Sequence, residues 1–252
     1  MSETGSVSIS ISEGVGTVAF YHPKSNSLPG NLLRELAQKI DQCAADDRIR
    51  VIVLRSRGEK AFCAGASFAE LQALSDETGG KAFFMGFATL ILAMKKCPKF
   101  IIARVQGKTV GGGVGLVATA DYALAHERAA VKLSELAVGL GPFVVGPSVH
   151  RKMGLSGFSE LSIDAASWRD ARWARERGLF MDVLPSLEAL DEAVNTLAAR
   201  LAQSNPEAMA RLKAVFWEGT ETWDDLLERR AEISGKLALS EFTSKFIASF
   251  GK

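Results

Sequence analysis

The chain has 252 residues, 47% of them hydrophobic, with 30 basic and 29 acidic side chains and a formal net charge of +1. That size and composition suit a soluble globular protein with a sizeable core, and the balanced charge excludes bulk attraction to nucleic acid or a membrane surface. Three scattered cysteines, Cys43, Cys63 and Cys97, exclude a disulfide framework; His22, His126 and His150 share no ligand spacing with them, so no metal is expected. Residues 1–5 lack the basic and apolar regions of a signal peptide, and no apolar run reaches membrane-spanning length, so a cytoplasmic protein is expected.

Residues 7–11 and 15–20 alternate around Ser12-Glu13-Gly14, which predicts a hairpin. Leu32, Leu33, Leu36, Ile40 and Cys43 then recur at helical spacing behind Pro29. Val51-Ile52-Val53-Leu54 is a continuous apolar run, as in a strand covered on both faces. Short helices are predicted over 68–74 and 83–94, then a strand over 100–105, an apolar helix over 114–120, and short strands over 122–125 and near Val131. Strands alternate with helices, so the class is α/β. Beyond about Gly146 the pattern turns helical: 149–153, 157–165, 169–177, 187–204, 206–217 and 222–238, with one short strand over 181–184. Thr222 precedes Asp224 and Asp225, a capping residue with acids in the first turn. Residues 1–186 form a core and 187–252 a helical C-terminal region.

The segment Gly107-Lys108-Thr109-Val110-Gly111-Gly112-Gly113 lies between the strand over 100–105 and the helix over 114–120. Helix-start N–H groups lack intrahelical partners and carry the positive end of the dipole. Glycines without Cβ let an oxygen approach them. Two phosphate motifs fail on spacing. A P-loop ending at Gly107-Lys108-Thr109 needs glycine where Ile102 stands, and a dinucleotide fingerprint from Gly111 needs glycine where Leu116 stands. Holding a negative oxygen is the simplest use of these N–H groups, and tight helix–strand packing through small residues is the equally weighted alternative.

A second loop of small residues, Ala64-Gly65-Ala66, follows the strand over 51–54 and leads into Ser67-Phe68. Two such turns from neighbouring parallel strands, converging on one oxygen, would supply the N–H pair that a thioester enolate needs. Cys63 beside them is read as a small buried hydrophobe before a nucleophile, since no histidine lies in its sequence context.

Ala61-Phe62-Cys63-Ala64-Gly65-Ala66, followed about forty residues later by Val105-Gln106-Gly107 and Gly111-Gly112-Gly113, resembles the crotonase (enoyl-CoA hydratase/isomerase) superfamily. The resemblance implies an α/β fold, a crotonase-like spiral of ββα units with a helical C-terminal region that packs homotrimers or dimers of trimers. It implies a coenzyme A thioester as substrate, with no separate cofactor. It also implies an oxyanion hole from the N–H groups of Ala66 and Gly112. Lys24, Ala64, Ala66, Ser67, Phe68, Gly111 and Gly112 match the coenzyme A-contacting region, and Lys245 matches a lysine that reaches the coenzyme phosphates of a neighbouring subunit. Either lysine is read equally well as a solvated surface charge.

Hydratases of the family carry two glutamates. Glu135 matches the second, and Gly115 stands at the first. Hydration normally uses two groups to hold water and shuttle its proton, whereas moving a double bond needs one base. The resemblance therefore favours an isomerase slightly over a hydratase, with Glu135 as base. Among apolar neighbours its carboxyl would be pushed up by desolvation; read without the family, it is a helix-start cap partner. The bulky Phe143-Val144-Val145 departs from the family's glycine-rich turn, so a reshaped acyl pocket is expected. Glu70, Asp121 and His150 are the remaining candidates for a second polar group. A non-catalytic acyl-CoA-binding homologue, or another crotonase-type reaction such as decarboxylation or thioester hydrolysis, are the alternatives.

Overall fold

The computed structural model describes residues 5–249; residues 1–4, which hold most of the opening read above as lacking a leader, and residues 250–252 lie outside the described residues. The hairpin forms as β1 (Ser6–Ser12) and β2 (Val15–Tyr21), antiparallel with Ile9 opposite Val18. Helix α1 (Gly30–Ala45) buries Leu32, Leu33, Leu36, Ala37, Ile40 and Cys43, the stripe its spacing predicts.

Three ββα units follow. The first is β3 (Val51–Ser56), β4 (Ala61–Cys63), a short α2 (Phe68–Gln72) and a long α3 (Glu77–Lys96). The second is β5 (Phe100–Val105), β6 (Lys108–Val110) and α4 (Gly112–Thr119). The third is β7 (Tyr122–His126), β8 (Ala130–Lys132) and α5 (Gly146–Ile163). In each unit the first strand joins one sheet and the second strand joins another. After α5 come β9 (Arg169–Asp170), α6 (Ala171–Glu176) and β10 (Asp182–Leu184). The larger sheet runs β1-β2-β3-β5-β7-β10 and the smaller β4-β6-β8-β9. Among the described residues only the β1–β2 and β8–β9 pairs are antiparallel. This is the ββα spiral that the resemblance implies.

The C-terminal helices are α7 (Leu187–Ala202), α8 (Pro206–Phe216), α9 (Trp223–Ala238) and α10 (Glu241–Ser249). They dock by specific contacts. Arg104 on β5 holds Asp191 on α7 through Nε and a terminal nitrogen at 2.8 and 2.9 Å. Lys213 on α8 is buried against Asp121 at 2.9 Å and donates also to the carbonyls of Met94 and Lys99, so its charge is fully partnered. Helix α9 meets α3 backbone to backbone: a Cβ on Gly80 would lie 2.9 Å from Gly235 Cα.

Several expected boundaries shift. A strand, β6, separates the glycine run from β5, so the glycines follow the smaller sheet. The helix expected over 68–74 stops at Gln72. The one expected over 83–94 starts six residues earlier, because the Asp76 carboxylate accepts the Gly79 N–H at 2.8 Å and caps the N-terminus. The two helices expected over 149–153 and 157–165 do form, run together as α5 and separated at Gly154, whose φ of 71° no helix accommodates. Residues 169 and 170 pair with β8 before α6 begins. Thr222 makes no side-chain cap bond, and α10 lies inside the expected helical region but past its last predicted helix.

Candidate active site

Strands β4 and β6 are parallel neighbours, with Cys63 beside Thr109. The chain therefore leaves both at the same end of the sheet, and the two small-residue loops come side by side. A Cβ on Gly65 would lie 3.8 Å from the Gly112 nitrogen. Gly112 is the first residue of α4, where the N–H has no intrahelical acceptor. Neither the Ala66 nor the Gly112 N–H finds an acceptor among the described residues. Two donors are thus left bare at the rim of one cavity.

That cavity is lined by Ala64, Ala66, Ser67, Phe68, Gly111, Gly112 and Glu135 together. It therefore gathers every expected oxyanion, base and loop residue. Lys24 and Lys245 do not line it. Lys24 is exposed. Lys245 is exposed on α10 and pairs with Glu241 one turn back.

Glu135 precedes a single 3-10 turn, Leu136–Val138, and makes no side-chain cap bond. The cap-partner reading of this residue therefore fails. The residue is part-exposed overall, yet its Oε2 is buried with no hydrogen-bond partner. Burial pushes the carboxyl up to about 7, against a weaker downward pull from a backbone hydrogen bond. Gly111 makes room for it. A Cβ there would lie 3.0 Å from Glu135 Oε1, and the φ of 53° at Gly111 itself favours glycine.

The remaining walls are mostly apolar and aromatic: Leu71, Phe83, Phe84 and Phe87 from α2 and α3, and Val138, Leu140, Phe143, Val144 and Val145 from the segment before α5. Phe87 packs on the loop so closely that a Cβ on Gly112 would lie 2.2 Å from its ring. Gly115 faces Val145 in the same way, at 2.5 Å from Cγ1. The place from which a first-position glutamate would grow is thus filled by hydrocarbon.

None of the three proposed substitutes for that glutamate lines the cavity. Glu70 accepts the Gly30 N–H at 2.9 Å and helps start α1. Asp121 is committed to Lys213 and to the Ile101 N–H. His150 packs beside the Phe158 ring on α5. Cys63 is buried and its thiol is pushed up to about 12 by burial, which leaves it without thiolate character near neutral pH.

Sequence reasoning missed Phe83, Phe84, Phe87 and Ser234 as lining residues. The phenylalanines fall on one helix, where their spacing reads as ordinary core. Ser234 comes from α9, more than a hundred residues after the loops, and nothing local marks it.

Among the described residues no helix is long and apolar enough to cross a membrane. A sequence profile of the enoyl-CoA hydratase/isomerase family matches residues 10–244. The chain is 27% identical over 251 residues to a protein of Bacillus subtilis (strain 168) described as a "Probable enoyl-CoA hydratase", covering 97% of this chain and 95% of that one. It is 30% identical to the human mitochondrial methylglutaconyl-CoA hydratase over 200 residues, which span 78% of this chain and 58% of that one. Two crystal structures share the fold. An enoyl-CoA hydratase from Bacillus halodurans superposes with a TM-score of 0.89 at 20% identity, covering 96% of this chain and 99% of that one. One from Mycobacterium avium superposes with a TM-score of 0.86 at 26% identity, covering 97% and 95%. With the ββα spiral, the paired loops and this match over nearly its whole length, the chain belongs to the enoyl-CoA hydratase/isomerase family of crotonase-type enzymes.

Proposed function

We propose that this chain moves a double bond in an enoyl-CoA thioester by way of an enolate, with Glu135 as its one base. The observation that carries this reading is the pairing of a carboxyl whose Oε2 is buried and partnerless with two bare N–H groups, while Val145 closes the site of a second acid. The thioester carbonyl oxygen sits between the Ala66 and Gly112 N–H groups. The Glu135 carboxylate removes a proton from the adjacent carbon, and the bonding electron pair moves into the enolate. Charge that develops on the oxygen is met by donors already in place, each worth roughly 3–4 kcal/mol of barrier in comparable sites. The protonated Glu135 then returns its proton to the far end of the conjugated system, and the double bond has moved. One carboxyl serves both transfers, so no second group is required.

In this reading Lys24, Ala64, Ser67, Phe68 and Gly111 contact the coenzyme, and Lys245 reaches the phosphates of a coenzyme bound next door. The subunits form a trimer or a dimer of trimers, which gives exposed Leu212, Val215, Phe216 and Ile233 of the C-terminal helices a surface to cover. A stable monomer by light scattering would contradict that assembly. The relatives named as hydratases keep hydration as the competing activity. The test is a side-by-side assay of double-bond migration and water addition on short enoyl-CoA thioesters, with Glu135→Gln as control. Faster migration than hydration, with both lost in the variant, supports the isomerase. Hydration that outruns migration replaces it with a hydratase.

A further inference from the structure

Among the described residues four polar side chains line the cavity: Ser67, Ser134, Glu135 and Ser234. Ser67 is occupied, since its hydroxyl accepts the Glu70 N–H as the cap of α2. Ser134 is part-exposed and adjoins the base. Ser234 differs from both. It lies on α9, far along the chain from the loops, and is only 1% exposed. Its hydroxyl has no hydrogen-bond partner among the described residues. A serine inside a helix usually satisfies itself on the carbonyl four residues back, but here it does not bond Arg230 in that way. Its position is fixed by the close meeting of α9 and α3, where a Cβ on the neighbouring Gly235 would lie 2.6 Å from the Lys81 nitrogen. The helix cannot settle closer to hide the hydroxyl, and Phe83 and Phe84 on the facing helix line the same space.

A nearly buried hydroxyl that lines the cavity and has no partner in the protein keeps its donor and acceptor open to what enters there. We propose that Ser234 is a specificity-determining residue that hydrogen-bonds a neutral oxygen on the acyl group, remote from the thioester. The acyl chain is therefore oxygenated, as a hydroxyl or a carbonyl, and is not a plain hydrocarbon. Among the described residues no Lys, Arg or His lines the cavity, which argues against a carboxylate at that place, because a buried charge there would have no counter-ion from them. Serine both donates and accepts, so it suits either neutral oxygen. This inference rests on the acyl-CoA reading above.

The test uses pairs of CoA thioesters of equal chain length, with and without a hydroxyl or oxo group beyond the reacting carbons. Calorimetric binding of saturated pairs is measured beside turnover of the unsaturated pairs, for the wild type and Ser234→Ala. The wild type is expected to favour the oxygenated member. In Ser234→Ala its affinity and kcat/KM fall about tenfold, while the plain chain stays within about twofold. Thioesters that bind without discrimination in the wild type, or that weaken equally in the variant, overturn the assignment of Ser234 alone. Failure of every thioester to bind overturns the acyl-CoA reading, and this proposal with it.

Discussion

Val145 stands where a side chain at Gly115 would have to go: a Cβ on Gly115 would lie 2.5 Å from Val145 Cγ1 and 2.7 Å from its Cβ. At the position that the family resemblance matches to a glutamate, glycine thus faces a bulky residue thirty positions later in the chain. The pair converts what would be a polar corner of the cavity into packed hydrocarbon.

Restoring a glutamate at position 115 should therefore fail on its own. Gly115→Glu drives a carboxylate into Val145 and is expected to destabilise the fold by about 1–3 kcal/mol, read as a lower melting temperature. It should not add hydration. Gly115→Glu combined with Val145→Gly should regain melting temperature and raise water addition relative to double-bond migration. If Gly115→Glu alone folds normally and hydrates efficiently, the corner is open to water and the argument from Val145 fails.

The Glu135 carboxyl, raised to about 7 by burial, sets two pH dependences. As a base it must be ionised, so kcat/KM should climb with pH through about 7 and then level. Glu135→Gln should lower turnover by about 10²–10⁴-fold. The stability effect has the opposite sense. Between the usual glutamate range and about pH 7, the unfolded chain loses this proton while the folded chain keeps it. The folded state is thus progressively disfavoured as pH rises, by up to about 3 kcal/mol above pH 7. Glu135→Gln should melt near the wild type at pH 4 and above it at pH 8. Parallel melting curves at both pH values would contradict the buried, ionisable carboxyl.

The Phe87 ring tests the donor pair. Gly112→Ala would place a Cβ 2.2 Å from that ring, so either the ring or the loop has to move. Displacing one N–H donor should reduce kcat by about 10²-fold or more. Phe87→Ala in the same chain removes the obstruction and should recover part of kcat. An unchanged kcat in Gly112→Ala would mean that this loop does not serve the reaction.

Most of the frame was legible in residue patterns. The helical stripe from Leu32 to Cys43 and the apolar run Val51–Leu54 each have a single structural solution, and both form. The two small-residue loops were legible because the requirement for bare N–H groups is local. Glu135 was legible only through its match to a family motif; nothing in its neighbours Ser134 and Leu136 distinguishes a base from a helix-start carboxylate. The rest depends on contacts between distant segments. Val145 facing Gly115, Phe87 on Gly112 and Gly235 against Gly80, which brings Ser234 to the cavity, are tertiary facts, and no spacing rule reports them. The break at Gly154 inside α5 was legible, since the helical pattern stops at Met153 and resumes at Gly157.

Hydrogen–deuterium exchange at the carbon next to the thioester carbonyl tests the central claim most directly. CoA thioesters are incubated in deuterated water with the wild type and with Glu135→Gln, and deuterium uptake is read by mass spectrometry. Uptake by the wild type that is lost in the variant is the predicted result, because it requires both the enolate and its base. Bound thioesters that take up no deuterium, or uptake undiminished in Glu135→Gln, would contradict the account.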